Sequence, residues 1–513
     1  MTRNYLDILA ETIRNNWDQP ALTDFYLTDD GKAQDTSRGN HYTYGEMYEK
    51  IVQVADLLTN LGLQKGDHIA ICGANSAHWA IAYLAIAKMR GVSVTVMHSL
   101  PPDEIARLID FSDAKALFMD RESWSELKEK SLPQVKSVIA LEDFGVLRGK
   151  QISNIQSPIS NPDCQFPYQE PDSLAMICFT SGSTGKPKGV MLSYGSISAN
   201  VAIKFERFIA SKGKISMSWL PMGHIYGLLA EVLQPMCIGI RVVVVESLEQ
   251  SNFIQVVQSI KPAILMTVPI VLETIILNIK RYTTDVHVIR KQLQQTLGDN
   301  LDLIGVGGAL LSSNLEEVLY SRDVPLGMSY GCTECGPRIA LALSDELRPH
   351  TVGKVLPTLE ARIAPNGEIL VKGENVMLGY YKDPEATAAK IEKDGWLHTG
   401  DKGHLDEDGY LYVEGRLEQD IIVLPNGENI RPDNIEALIN ALPEVKESIV
   451  IARDGKLVAI VVSDQQSEVS LRRKILRAVN PKLPLFSQLY DVEITDQPLH
   501  RTEKQTIKRY LYS

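Results

Sequence analysis

The stretch Thr180-Ser-Gly-Ser-Thr-Gly-Lys-Pro-Lys-Gly189 decides how this chain is read. It follows an apolar run, Leu174-Ala-Met-Ile-Cys-Phe179, whose length and composition predict a buried strand. Its ten residues hold three glycines, four hydroxyls and two lysines. Glycine lets backbone approach a ligand closely, and successive N–H groups can form an anion cradle. The hydroxyls of Thr180, Ser181, Ser183 and Thr184 add donors, while Lys186 and Lys188 add positive charge. This is the chemistry of a phosphate loop. It departs from the G-x-x-x-x-G-K-[ST] pattern, because two residues separate Gly182 from Gly185 and Pro187 follows the first lysine. A flexible Ser/Gly linker is a poor account of a stretch that ends in Lys-Pro-Lys-Gly directly after a buried strand.

On either side of the loop, strand-like and helix-like runs alternate in the manner of parallel α/β layers. Residues 68–72, 92–97 and 116–119 read as strands, with a helix over 77–89 and a further run, 105–111, leading to the last of them. After the loop come a helix over 196–209, strands at 215–219, 241–245 and 263–267, and a helix at 253–260. The cycle before and after residue 170 predicts two related α/β subdomains. From about residue 350 short strands and Asn-Gly or Asp-Gly turns take over. A compact tail then predicts helices near 433–441 and 471–479 and paired strands near 448–452 and 457–462. A domain seam is expected beside Gly415-Arg416.

At 513 residues the chain exceeds one ordinary core, and a net charge of −12 argues against a nucleic-acid partner. Six cysteines in so long a chain make no disulfide framework, which predicts a reducing compartment. Cys332 and Cys335 form a C-x-x-C without a second pair, and neither zinc nor redox chemistry is expected of them. The N-terminus lacks an apolar signal core, and residues 228–245 are interrupted by Glu231, Gln234, Pro235 and Arg241. A cytoplasmic location is therefore expected, with peripheral membrane contact left open and the oligomeric state unread.

Four further segments follow in order. Gly305-Val-Gly-Gly-Ala309 ends a predicted strand, and Ser329-Tyr-Gly-Cys-Thr-Glu334 offers an aromatic face, a hydroxyl and a carboxylate. Trp396-Leu-His-Thr-Gly-Asp401 ends in an acid suited to a ribose diol, and Tyr412-Val-Glu-Gly-Arg416 supplies a guanidinium. Each alone is more often structural. Together, over roughly residues 40 to 510, they resemble the acyl-adenylate-forming superfamily of acyl-CoA synthetases, peptide adenylation domains and firefly luciferase.

The resemblance implies a large N-terminal domain, residues 1–417, of two layered α/β subdomains plus a small β-barrel-like part. It implies a mobile α+β C-terminal domain over residues 418–513. Thr180, Ser181, Gly182, Ser183, Thr184, Gly185 and Lys188 would hold the phosphates of ATP. Gly307, Gly308, Ala309, Tyr330 and Gly331 would line the adenine slot. Thr333 would contact the α-phosphate, Glu334 would hold Mg²⁺, and Asp401 and Arg416 would bind ribose. His224, in Leu220-Pro-Met-Gly-His-Ile-Tyr-Gly227, matches the family's histidine beside the acyl site; on its own it reads as a packed histidine at a strand end.

In this superfamily a carboxylate attacks the α-phosphate of ATP, and a thiol, most often that of CoA, then displaces AMP. The barrier is charge crowding, which positioning and cations relieve. Thr184, Lys188, His224 and Glu334 are the catalytic candidates. The resemblance puts the hinge at Glu418, where the family usually has Asp or Lys, and the stretch Arg416-Leu-Glu-Gln-Asp-Ile-Ile-Val423 around it looks one residue longer than usual. The C-terminal Thr502-Glu-Lys-Gln-Thr-Ile-Lys-Arg509 holds Thr506 where the family has its adenylation lysine. Lys504 is the candidate substitute, since two residues of extended chain span only about 6.6 Å; a solvated surface lysine is the competing reading.

Residues 394–401 and 422–430 look most like the medium- and long-chain fatty acyl-CoA ligases. The expected reaction is ATP-dependent activation of a fatty acid and transfer to CoA. Transfer to an acyl-carrier protein, an aryl acid such as succinylbenzoate, and an adenylation-impaired binding protein are the alternatives. A γ-phosphate-transferring P-loop enzyme is disfavoured by the loop spacing.

Overall fold

The computed structural model describes residues 2–26, 39–151, 164–180, 187–203, 213–246, 252–308, 311, 313–321, 324–343, 345–417, 422–423, 429–430, 432–453, 456–464, 468–483, 487–501, 507 and 509–512. The chain forms two compact units. The first is Met1–Thr399 with Gly403–Val413, and the second is Gly400–Lys402 with Glu414–Ser513.

The first unit is built on two large sheets. One has eight strands in the order Gly379–Tyr380, Lys188–Ser193, Leu174–Thr180, Val92–Thr95, His68–Cys72, Ala116–Met119, Ser137–Ala140 and Val146–Arg148. Its central strands are parallel and buried on both faces, which is why Ala116-Leu-Phe-Met119 shows no polar alternation. The helix Ala77–Lys88 is apolar around its whole circumference and buries every residue but the last. The Ser76 hydroxyl starts that helix by accepting the Trp79 N–H at 3.1 Å.

The second sheet has nine strands in the order Lys354–Val355, Ala340–Leu343, Leu326–Tyr330, Leu303–Val306, Ile264–Thr267, Ile215–Ser218, Arg241–Val245, Pro20–Phe25 and His41–Thr43. The expected division near residue 170 is not where the sheets divide. Leu174–Thr180 and Lys188–Ser193 join the first sheet, and Pro20–Phe25 crosses to the second, pairing in parallel with Leu22 opposite Val242. Local periodicity says which segments are strands; the partner of a parallel strand is set by burial contacts far away in sequence. The helix expected over 196–209 is Tyr194–Val201, capped by the Ser193 hydroxyl, and residues 204–210 lie outside the described residues. A four-stranded sheet, ordered Leu359–Ile363, Glu368–Gly373, Leu397–Leu405 and Leu411–Arg416, forms the small β part.

In the second unit, Glu447–Arg453 pairs antiparallel with Lys456–Val462, and Asp491–Thr495 adds in parallel on its other edge. Helices Pro432–Asn440 and Glu468–Val479 bury Ile435, Ile439, Leu471, Ile475 and Val479 against this sheet. Among the described residues, no helix is long and apolar enough to cross a membrane.

A half-buried acid contributes a pH dependence to stability. Asp120 follows the strand Ala116–Met119 and accepts the Ala74 N–H at 3.0 Å. Burial raises its carboxyl to about 6, against the opposing pull of the Ala74 bond. The unfolded group ionises from 3.8 upward while the folded group keeps its proton, so its contribution is complete below 3.8 and lost as pH rises through about 6. Asp120→Asn keeps the acceptor and removes that ionisation. It should stabilise the chain at pH 7.5 by about 1–2 kcal/mol, after discounting for partial exposure. Thermal melting between pH 4 and 8 checks this: the two curves should converge at the acid end.

Candidate active site

The strands flanking the phosphate loop are hydrogen-bonded to each other. Leu174–Thr180 and Lys188–Ser193 run antiparallel, with Thr180 opposite Lys188 and Phe179 opposite Gly189. The loop thus joins strand to strand, whereas a G-x-x-x-x-G-K-[ST] loop opens a helix. Ser181, Gly182, Ser183, Thr184 and Gly185 lie outside the described residues.

Gly379–Tyr380 pairs with the other edge of Lys188–Ser193, Tyr380 opposite Val190. That register sets the Tyr380 ring beside Lys188, whose Nζ lies 4.8 Å from the ring centroid. Such a contact orients an ammonium without neutralising it. The Tyr380 hydroxyl donates to Glu334 Oε1 at 2.8 Å. Burial, and then the charge of Glu334, push this phenol far up, so it remains a donor throughout the biological pH range. Glu334 stands on the short turn Thr333–Cys335, and its carbonyl accepts the Met377 N–H at 2.8 Å. One line of contact therefore joins Lys188, Tyr380 and Glu334.

Two atoms at this place are left for a ligand. The Thr333 hydroxyl is buried and has no hydrogen-bond partner among the described residues. Glu334 Oε2 likewise receives no bond there, its partner Oε1 taking the Tyr380 contact. Mg²⁺ takes hard oxygen ligands and is commonly bound through one or two carboxylates plus substrate phosphates. A half-buried carboxylate with one free oxygen fits that demand. Among the described residues no cluster of three or more His, Cys, Asp or Glu could hold a metal alone.

Gly307 and Gly308 continue the strand Leu303–Val306, and Tyr330 ends the neighbouring strand Leu326–Tyr330. A Cβ on Gly307 would sit 3.0 Å from the Tyr226 ring, while Gly308 has a φ of +83°. Ala309 lies outside the described residues. Gly331 has a packing reason of its own: a Cβ there would lie 2.0 Å from the Pro337 carbonyl oxygen. His224 caps the turn Ile225–Gly227, Nδ1 accepting the Tyr226 N–H at 3.2 Å. That bond makes Nδ1 the unprotonated nitrogen. Cys332 and Cys335 are free thiols, and burial pushes the Cys335 thiol up.

Asp401 and Arg416 belong to the second unit. Asp401 is buried on the strand Leu397–Leu405, and Arg416 ends Leu411–Arg416. The Leu417 N–H donates to the Gly400 carbonyl at 2.7 Å, so the backbone beside each residue meets. Glu418, Lys504 and Thr506 lie outside the described residues; Arg501 and Ile507, on either side of the last two, pair antiparallel.

Sequence reasoning missed Tyr380. Nothing in Leu378-Gly-Tyr-Tyr381 marks it; only its place as an edge partner of Lys188–Ser193 does. Tyr380→Phe should leave the fold intact and weaken Mg-ATP binding about 10-fold, the worth of one hydrogen bond to a charged group. Titration calorimetry checks this.

Two large sheets with helices packed on them, one of which carries the antiparallel strands that flank the Gly/Ser/Thr/Lys stretch, define an α/β nucleotide-binding class. Residues 9–381 match the model of the AMP-binding enzyme and residues 419–512 that of the AMP-binding enzyme C-terminal domain. The chain belongs to the AMP-binding enzyme family. It is 26% identical to 4-coumarate–CoA ligase 3 of Oryza sativa over 491 residues, 90% of this chain and 85% of that one. It is also 26% identical over 559 residues to the long-chain-fatty-acid–CoA ligase ACSBG2 of Rattus norvegicus, 95% of this chain and 81% of that one. In fold it is similar to ATP-bound MatB from Rhodopseudomonas palustris, with a TM-score of 0.78 and 23% identity over 99% and 98% of the two chains.

Proposed function

We propose that this chain is an acid–thiol ligase that converts a carboxylic acid, ATP and CoA into acyl-CoA, AMP and pyrophosphate through an acyl-adenylate. The observation that carries the reading is the line Lys188–Tyr380–Glu334, with the orphaned Thr333 hydroxyl beside it. A cation, a donor, a carboxylate and an unpartnered hydroxyl are what a triphosphate–metal complex needs. The names of the relatives support CoA as acceptor.

In the first half-reaction a carboxylate oxygen of the acid attacks the α-phosphorus and pyrophosphate leaves. Lys188, Thr180 and the loop hydroxyls hold the phosphates, the Thr333 hydroxyl donates to the α-phosphate, and Tyr380 fixes the Glu334 carboxylate. Mg²⁺ held by Glu334 would neutralise charge gathering on the phosphate oxygens. In the second half the CoA sulfur attacks the acyl carbon, the C–O bond to AMP breaks, and the thiol proton is released. Asp401 and Arg416 bind the ribose, and His224 lies beside the acid. The same reading makes residues 1–417 the adenylation domain and residues 418–513 a mobile domain hinged near Glu418. A reducing, cytoplasmic setting fits six free cysteines.

A fatty acid is the first candidate substrate, supported by residues 394–401 and 422–430 and by the rat relative. An aryl acid is the second, supported by the plant ligases. Incubation with Mg-ATP, CoA and a graded pool of fatty and aryl acids, read by mass spectrometry, tests both. Acyl-CoA and AMP are expected. ATP binding without acyl-AMP would point to an adenylation-impaired binding protein, and ADP as product would sink the ligase reading.

A further inference from the structure

Tyr226, Gln234, Met266, Gly305, Ser329 and Arg338 line a small, partly open pocket in the first unit, with about 20 Å³ of enclosed space. That is room for one small group, such as the end of a longer ligand, and not for a whole ligand. It abuts the strand ends described above, since Gly305 lies on Leu303–Val306 and Ser329 on Leu326–Tyr330. Its lining is mostly apolar, with one cation.

Arg338 is an anomaly there. It is only 4% exposed, yet it forms no ion pair among the described residues. Its N–H donates to Asn200 Oδ1 at 3.0 Å and Nη1 reaches the Asn200 carbonyl at 3.3 Å. Nε is buried with no partner at all. Asn375 Nδ2 donates to the Arg338 carbonyl at 3.3 Å, so the backbone is pinned while half of the guanidinium fork is idle. The buried carboxyl on this side, Glu231, does not answer it. Glu231 Oε2 accepts the N–H groups of Trp219 and Leu220, each at 3.0 Å, and burial pushes its pKa up. A guanidinium stays charged in proteins, and an uncompensated buried charge is strongly unfavourable. An anionic group entering the pocket would compensate it.

We propose that Arg338 is a specificity-determining residue that holds a second carboxylate at the far end of the acid, so that the substrate is a dicarboxylic or carboxyaryl acid. This rests on the ligase reading and names its substrate class. An arginine fork matches a carboxylate in plane and donor spacing, and a buried one rejects a methyl terminus by leaving its own N–H groups unpaired. The same pocket without the arginine would take a plain apolar tail.

The full chain is assayed with Mg-ATP and CoA on three matched pairs: hexanoate and hexanedioate, decanoate and decanedioate, benzoate and benzene-1,4-dicarboxylate. In the wild type the diacid of at least one pair should lead by about 10- to 100-fold in kcat/KM, the discrimination a buried charged contact gives. Arg338→Leu should reverse that preference, mainly through KM, and Arg338→Lys should restore part of it. A wild type that uses the monoacid as well or better in all three pairs overturns the proposal, whether or not the leucine variant folds. Calorimetry of each diacid in the presence of a non-hydrolysable ATP analogue separates the two readings. Arg338-dependent binding without turnover of any acid would sink the ligase and keep the site. No binding of any diacid removes the site.

Discussion

Glu334→Gln should lower acid-dependent pyrophosphate release by about 10²- to 10³-fold, the usual effect of removing one preorganised electrostatic contact from a transition state. The substitution is nearly isosteric. A glutamine Oε1 still accepts the Tyr380 hydroxyl, and the backbone carbonyl still accepts the Met377 N–H. Thermal stability should therefore hardly move. What disappears is the negative charge on the free oxygen, the one a divalent cation would use. The half-saturating Mg²⁺ concentration should rise with the loss in rate, whereas a purely structural role for Glu334 would leave it unchanged. Tyr380→Phe, which leaves the charge and removes only its orienting bond, should sit well above Glu334→Gln in rate. Pyrophosphate release within threefold of wild type across a Mg²⁺ titration would take Glu334 out of the site.

What the sequence disclosed and what it withheld follow the range of the interactions. The strand Leu174–Thr180 and the cradle after it were legible because apolar runs, glycines and hydroxyls act locally. The helix starts were legible for the same reason: Thr43 and Glu46 form a reciprocal capping box across three residues. The crossing of Pro20–Phe25 into the nine-stranded sheet was not legible, since its parallel partner Arg241–Val245 lies more than 200 residues on. Tyr380 is hidden in the same way, because its role comes from pairing with Val190 and from Lys188 two residues back along that strand. Arg338 stood in plain view within Gly336-Pro-Arg-Ile339 as one charge among 52 basic residues. Only burial without an ion pair marks it out.

The C-terminal lysine question has the second large expected effect. We propose that Lys504 supplies the cation that Thr506 cannot, so Lys504→Ala should slow the adenylation half-reaction by about 10²-fold or more, as loss of a charge-stabilising contact does. The described residues that flank Lys504 and Thr506 have partners of their own: Arg501 pairs with Ile507, and the Arg509 guanidinium bonds Glu436 Oε1 at 2.6 Å. Those contacts do not involve Lys504, so its removal should leave the unit folded. The second half-reaction, started from synthetic acyl-AMP and CoA, needs no such cation and should stay within about threefold, which separates a catalytic loss from a damaged fold. Thr506→Lys in the Lys504→Ala background should recover most of the adenylation rate, because it returns the charge to the position the superfamily uses. Recovery would show that the cation and not the particular residue is what the chemistry requires. If Lys504→Ala is silent while Thr506→Lys accelerates adenylation in the otherwise unchanged chain, Lys504 is a solvated surface residue and the natural chain runs its first half-reaction without a C-terminal cation. If both are silent, charge on the α-phosphate is met entirely from the first unit, and Lys188 carries the load assigned to two lysines.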